Sequence, residues 1–230
     1  MTTDSPELSM TALFRPICIS ACLTASALSV PASAADEGFE LWTEPSVSTD
    51  LDEDTGIQFQ TSQRFRDADD GRVDTYVFRL WLHQKMSSTF TLSGGVEQNV
   101  NDGGADEIRF LQQVTGKHGI VRSRLRLEER LVDGTGRMGL RVRPRLGVSV
   151  PLGTNDRWSG FADAEGFITL KSTSVGGDDG FTGLRTRVGA KYAASDNLAI
   201  TLAYLRQQDI RDDRPDRVGH VPLIGLDFVF

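Results

Sequence analysis

Residues 122–131 read RSRLRLEERL, an unbroken alternation. Successive side chains of a strand point to opposite faces, so Arg122, Arg124, Arg126, Glu128 and Arg130 share one face. Ser123, Leu125, Leu127, Glu129 and Leu131 share the other. A soluble strand turns its leucines into a core and its charges into water. A membrane barrel does the reverse in space, with leucines against lipid and charges in the lumen. The rest of the chain decides between the two.

The same alternation recurs along the chain. In 56–65, Ile57, Phe59 and Phe65 stand against Gln58, Gln60 and Arg64. In 75–83, Tyr76, Phe78, Leu80 and Leu82 oppose Arg79 and His83, and in 107–114, Ile108, Phe110 and Val114 oppose Glu107, Arg109 and Gln113. Segment 90–99 places Glu97 opposite Val96. Segment 139–150 places Arg141, Arg143 and Arg145 opposite Leu140, Val142, Leu146 and Val148. In 158–170, Asp163 and Glu165 face away from Ala162, Ala164 and Ile168; in 183–192, Arg185 and Arg187 face away from Leu184, Val188 and Tyr192. Segments 39–51, 197–205 and the C-terminal stretch complete the set. Helical periodicity is absent, and Gly/Asp/Asn turns separate the segments.

Segments of about ten alternating residues are the pattern of a transmembrane antiparallel up-and-down barrel. The expected fold is therefore all-β, a barrel of 10–12 strands with an Arg-rich lumen. Eleven segments can be counted, whereas bacterial barrels have even numbers. This predicts that the first segment does not span, leaving ten, or that a twelfth exists. With the C-terminus on the periplasmic side, segments 171–180 and 209–219 become long outer loops. Segments 85–88 and 193–197 become short inner turns, with Trp158 and Tyr192 in an aromatic girdle at the periplasmic rim.

The ends agree with export. Arg15 precedes an apolar, small-residue stretch at 17–30, and Ala32-Ser33-Ala34 offers an A-x-A cleavage site. Residues 1–35 are expected to be a signal peptide cleaved near Ala34/Ala35, with Met1 or Met10 as the start, leaving a barrel over 36–230. A lipoprotein site at Cys22 is the competing reading of the same leader. Both cysteines, Cys18 and Cys22, lie within it, so neither disulfides nor thiolate zinc sites are expected in the exported part. The chain ends LIGLDFVF, with Phe228 and Phe230 on one face. A terminal aromatic on an alternating strand resembles the signal by which the barrel-assembly machinery recognises its substrates. No run of about 18 apolar residues predicts a membrane helix.

The segments ELWTE (40–44), RLRLEER (124–130), GLRVRPRL (139–146), DAEGF (163–167), GLRTRVGAKY (183–192) and AYLRQQ (203–208) resemble an uncharacterised family of short Gram-negative outer-membrane barrels, a domain of unknown function. The resemblance implies fold and location but no activity. A more distant similarity is to acidic-oligosaccharide porins, and it is one of architecture.

The net charge of −7 misleads about the interior, because the acids lie largely in turns. The lumen is expected to carry Arg64, Arg79, Arg109, Arg122, Arg124, Arg126, Arg130, Arg141, Arg143, Arg145, Arg185 and Arg187. Against them stand Glu97, Glu107, Glu128, Asp163, Glu165 and Asp227. Two functions follow. Arginine rings favour carboxylate and phosphate, giving a narrow anion-preferring pore for small acidic solutes. Alternatively, arginines and carboxylates interlock, as Arg126 would with Glu128, Asp163 or Glu165, into a structural interior. Arg124→Ala with Arg143→Ala would weaken anion selectivity in the first case; in the second it would open conductance or destabilise the barrel.

Two other classes remain. A soluble periplasmic barrel or sandwich would have to bury the arginines, which is costly. An outer-membrane hydrolase needs a catalytic constellation, yet His83, His118 and His220 are isolated and no G-x-S-x-G elbow occurs. No enzyme, cofactor, metal or nucleic-acid partner is expected. The expected partners are outer-membrane lipid and lipopolysaccharide, the latter through acidic loops bridged by cations or through Arg211, Arg214 and Arg217.

Overall fold

The computed structural model describes residues 35–66, 72–154 and 156–230. The expected signal peptide, its cleavage site, the alternative start and Cys22 lie outside them. The described chain is a single closed sheet of eleven strands. These are β1 (Asp36–Asp50), β2 (Thr55–Arg66), β3 (Thr75–Lys85), β4 (Phe90–Asn101), β5 (Glu107–His118) and β6 (Val121–Val132). They continue with β7 (Met138–Leu152), β8 (Trp158–Lys171), β9 (Gly180–Ala193), β10 (Leu198–Asp209) and β11 (Arg217–Val229).

All the alternating segments form strands, and all eleven join the barrel. The expectation of an even count is corrected. Ten neighbouring pairs are antiparallel, and β1 closes on β11 in parallel, with Asp36 opposite Arg217 and Ser48 opposite Val229. An odd number of up-and-down strands can close in no other way, because the first and last then run in the same direction. The seam is continuous despite the slanted pairing of parallel strands. Asp36 N–H donates to Asp216 O (2.8 Å), and Phe230 N–H donates to Ser48 O (3.0 Å).

The closure places the start of β1 and the end of β11 at opposite rims. Connections 51–54, 86–89, 119–120, 153–157 and 194–197, of two to five residues, lie at the rim of Phe230. Connections 67–74, 102–106, 133–137, 172–179 and 210–216, of five to eight, lie at the other. The asymmetry follows the sequence reading, except that 67–74 is as long as 172–179. The tightest turn holds Gly119 at φ 57°, the backbone region that a two-residue hairpin needs at its first position.

The two faces differ as the alternation requires. Phe59, Leu80, Val96 and Phe110 stand opposite one another across β2–β5 on the outer surface, each 41–50% exposed. Leu92, Val114 and Leu125 make a second outward row across β4–β6. Toward the long-loop rim, Arg206 and Glu129 share this outer face. Toward the short-turn rim stand Trp158 and Tyr192, stacked with ring centroids 4.5 Å apart. Strands of 11–15 residues meet or exceed the roughly 9–11 that a tilted strand needs to cross a bilayer.

Candidate functional site: an ionic belt inside the barrel

The inward face carries the charges. The register sets Arg79, Glu97 and Arg109 side by side on β3, β4 and β5. Glu97 accepts from Arg79 Nε (2.6 Å) and Arg109 Nη1 (2.7 Å). Glu107 is shared by Arg109 and by Arg130 Nε (2.5 Å). Glu128 accepts from Arg141 (2.6 and 2.9 Å) and from Arg143 Nη1 (2.6 Å). The other side of the Arg143 fork grips Glu165 in two bonds of 2.9 Å, the bidentate geometry at which guanidinium excels. Glu165 also accepts from Arg124, two strands away, and lies 3.8 Å from Arg185. Asp163 and Arg187 face each other in register and form a second bidentate pair, at 2.8 and 3.1 Å.

Aromatic rings complete the interior. The Arg126 guanidinium reaches from β6 to lie 5.0 Å from the centre of the Trp81 ring on β3. Arg64 and Arg185, from β2 and β9, approach Trp42 on β1 at 4.3 and 4.9 Å. Arg143 lies 4.4 Å from Phe167. Such stacking suits the flat, weakly hydrated guanidinium. Gly95 makes room for Trp81, since a Cβ there would sit 2.6 Å from the ring. On β1, β10 and β11, Trp42 packs with Leu205, Val221 and Leu223 in an apolar sector.

The result is a belt of buried side chains. Trp42, Ser62, Val77, Glu97, Leu111, Glu128, Arg143, Glu165, Leu205 and Val221 come from ten different strands, and each is at most 5% exposed. Cavities of 710 and 350 Å³ open at the long-loop rim, and cavities of 640 and 430 Å³ at the short-turn rim. Among the described residues, none lines cavities at both ends.

Every expected lumen residue is on the inner face, but the pairings differ in part. Arg126 bonds mainly to Gln113, its register partner, at 2.7 and 3.0 Å, and stands 3.9 Å from Glu128. Arg122 bonds to the backbone oxygens of Gly119 (2.5 Å) and Val121 (3.0 Å). Asp227 takes Lys191 (2.7 Å) and Ser46 (2.7 Å). The sequence reading missed Trp42, Trp81 and Phe167 as interior groups, and Glu40, which binds Trp42 Nε1 (2.7 Å), Arg66 (3.1 Å) and Arg72. For two of them the signal was present, since Trp81 shares the parity of Arg79 and Phe167 that of Glu165; for Trp42 and Glu40 no residue of 39–51 had been placed inside.

The family model described as "Protein of unknown function (DUF2490)" matches residues 39–218, from within β1 to the start of β11. The chain belongs to this family. No curated protein matches it by sequence. Among solved structures, the DUF2490 chain is similar to "KdgM porin", at 9% identity and a TM-score of 0.46, over 70% of this chain and 81% of that one. It is also similar to "LpxR from Salmonella typhimurium", at 13% identity and a TM-score of 0.47, over 75% and 83%.

The histidines are dispersed. His83 Nδ1 is 2.8 Å from Ser93 Oγ beside Trp81, His118 meets the Phe90 ring edge-on, and His220 pairs with the Tyr204 hydroxyl on the outer face. Among the described residues, no three His, Cys, Asp or Glu side chains are grouped to hold a metal ion.

Proposed function

We propose that this DUF2490 chain is an outer-membrane β-barrel whose interior is sealed by its own arginine–glutamate belt, so that its role is structural rather than conducting. The carrying observation is the ring of unexposed inward residues on ten strands. An open lumen of polar side chains would be wetted, yet Glu97 and Glu128 are fully buried between guanidiniums. A barrel of about eight strands is filled by ordinary side chains. One of eleven is wider, and extended arginines stacked on tryptophan fill the difference. The apolar outer band supports the membrane, since a soluble barrel places such residues inside. Phe228 and Phe230 would present the strand to the barrel-assembly machinery, and lipid and lipopolysaccharide would surround the wall. This reading assigns the chain no catalytic step.

Orientation and closure are tested together by single cysteines, because residues 36–230 contain none. In cells carrying the chain, a membrane-impermeant maleimide is expected to label Glu37→Cys and Asp179→Cys from outside. Ser87→Cys is expected to react only after permeabilisation. Protection of Glu37→Cys beside a labelled Asp179→Cys would contradict the parallel closure. Labelling of Ser87→Cys alone would reverse the orientation, and labelling of none would remove the surface location.

A further inference from the structure

In the belt each glutamate is shared among two or more arginines, whereas cations at the short-turn rim stand without a carboxylate. The 640 Å³ cavity there falls within the roughly 300–1,000 Å³ of small-molecule sites. Six cations line it: Lys85, Lys117, Arg122, Arg145, Arg187 and Lys191. The one carboxylate among its described lining residues is Asp163, which is already held bidentately by Arg187. Lys191 is engaged by Asp227, and Lys85 lies 3.7 Å from Asp54.

Three cations are left over. Lys117 and Arg122 stand directly opposite each other on β5 and β6, and Arg145 stands opposite Arg124 on β6 and β7. Like charges facing each other across strands are destabilising. Arg124 is compensated by Glu165. Arg145 also faces Glu165 in register, but both oxygens of that carboxylate are taken by Arg143 and Arg124. Among the described residues, neither Lys117, Arg122 nor Arg145 has a carboxylate partner. Arg122 Nη1 donates to two backbone oxygens. The fold thus gathers uncompensated cations of three adjacent strands at one mouth and lines the same mouth with hydroxyls, Thr91 and Thr115 among them. A concave cationic site concentrates anions, and the guanidinium fork suits carboxylate and phosphate oxygens.

We propose that this vestibule binds a small soluble polyanion bearing carboxylate or phosphate groups, held between Lys117, Arg122 and Arg145. The proposal rests on the sealed-barrel reading only in making the vestibule a terminal site rather than the entrance of a pore. Its test needs neither a membrane nor an orientation, so its failure is separable from that of the closed interior.

The test is calorimetric titration of the folded full chain in detergent, at low ionic strength in an amine buffer, with inorganic pyrophosphate and separately with citrate. Saturable binding of at least one probe is expected, weakened at least tenfold by Arg122→Gln with Arg145→Gln. Arg214→Gln at the opposite rim is expected to leave it unchanged. Preference between the probes distinguishes phosphate from carboxylate recognition. Arg145→Gln should also unfold no earlier than wild type without anion, since it loses no partner, and should lose the stabilisation that the bound probe gives. No saturable binding of either probe to wild type would overturn the proposal. So would undiminished binding in the double variant, or anion-independent destabilisation by Arg145→Gln. Binding of hexaglutamate alone would assign the mouth to an acidic peptide and equally overturn it.

Discussion

Replacing Glu128 by alanine is expected to destabilise the folded barrel by about 3–5 kcal/mol, the cost of breaking a buried ion pair from one side. Glu128 is fully buried and accepts three hydrogen bonds from Arg141 and Arg143, with Arg126 3.9 Å away. Removing it leaves Arg141 without its carboxylate and takes from Arg143 one of its two. The penalty belongs to the orphaned cations, so Glu128→Ala with Arg141→Ala should cost less than the sum of the single changes. Equilibrium unfolding by urea in lipid vesicles reads the effect through the intrinsic tryptophans. Glu37→Ala, at an exposed side chain, is the control and should stay within about 0.5 kcal/mol. A loss below 1 kcal/mol for Glu128→Ala would mean that the belt is hydrated and loosely held.

Leu80→Arg is expected to cost about 2–4 kcal/mol in the same assay, the price of a lipid-facing arginine near the bilayer midplane. Leu80 is the middle residue of β3 and half exposed, between Phe59 and Val96 on the outer wall. On a soluble barrel the change would place a charge in water and stay within about 0.5 kcal/mol. The substitution therefore separates the membrane reading from the soluble one by the sign of the environment around one side chain. A negligible effect would contradict a lipid-facing wall.

The inside-out distribution of charge was legible in residues 122–131, because alternation is a local property that register cannot change. The same parity delivered every strand and the luminal arginines from Arg64 to Arg187, but not Arg66 beside Glu40. Closure was not legible. Whether β1 meets β11, and in which direction, depends on the whole ring and leaves no mark in either segment. Pairings were not legible: Arg126 was expected on Glu128, Asp163 or Glu165, but it bonds mainly to Gln113 and Asp163 goes to Arg187 straight across. Glu165 shows the limit. Arg145 is its register neighbour, but Arg143 and Arg124 take its oxygens along the diagonal. That diagonal choice leaves Arg145 without a carboxylate and creates the vestibule. Trp81 was missed although its parity matches Arg79, and Trp42 because no face of 39–51 was assigned; both lie inside beneath arginines.

The most direct test of a sealed interior is the current carried by the folded chain in a planar bilayer under a salt gradient, with folding confirmed by heat-modifiable gel mobility. Wild type is expected to give no steady current, and Arg124→Ala with Arg143→Ala, which removes two of the arginines holding Glu165, is expected to leak. A steady, anion-selective wild-type current, with a reversal potential set by the anion gradient, would contradict the sealed belt and make the same arginines the lining of a pore.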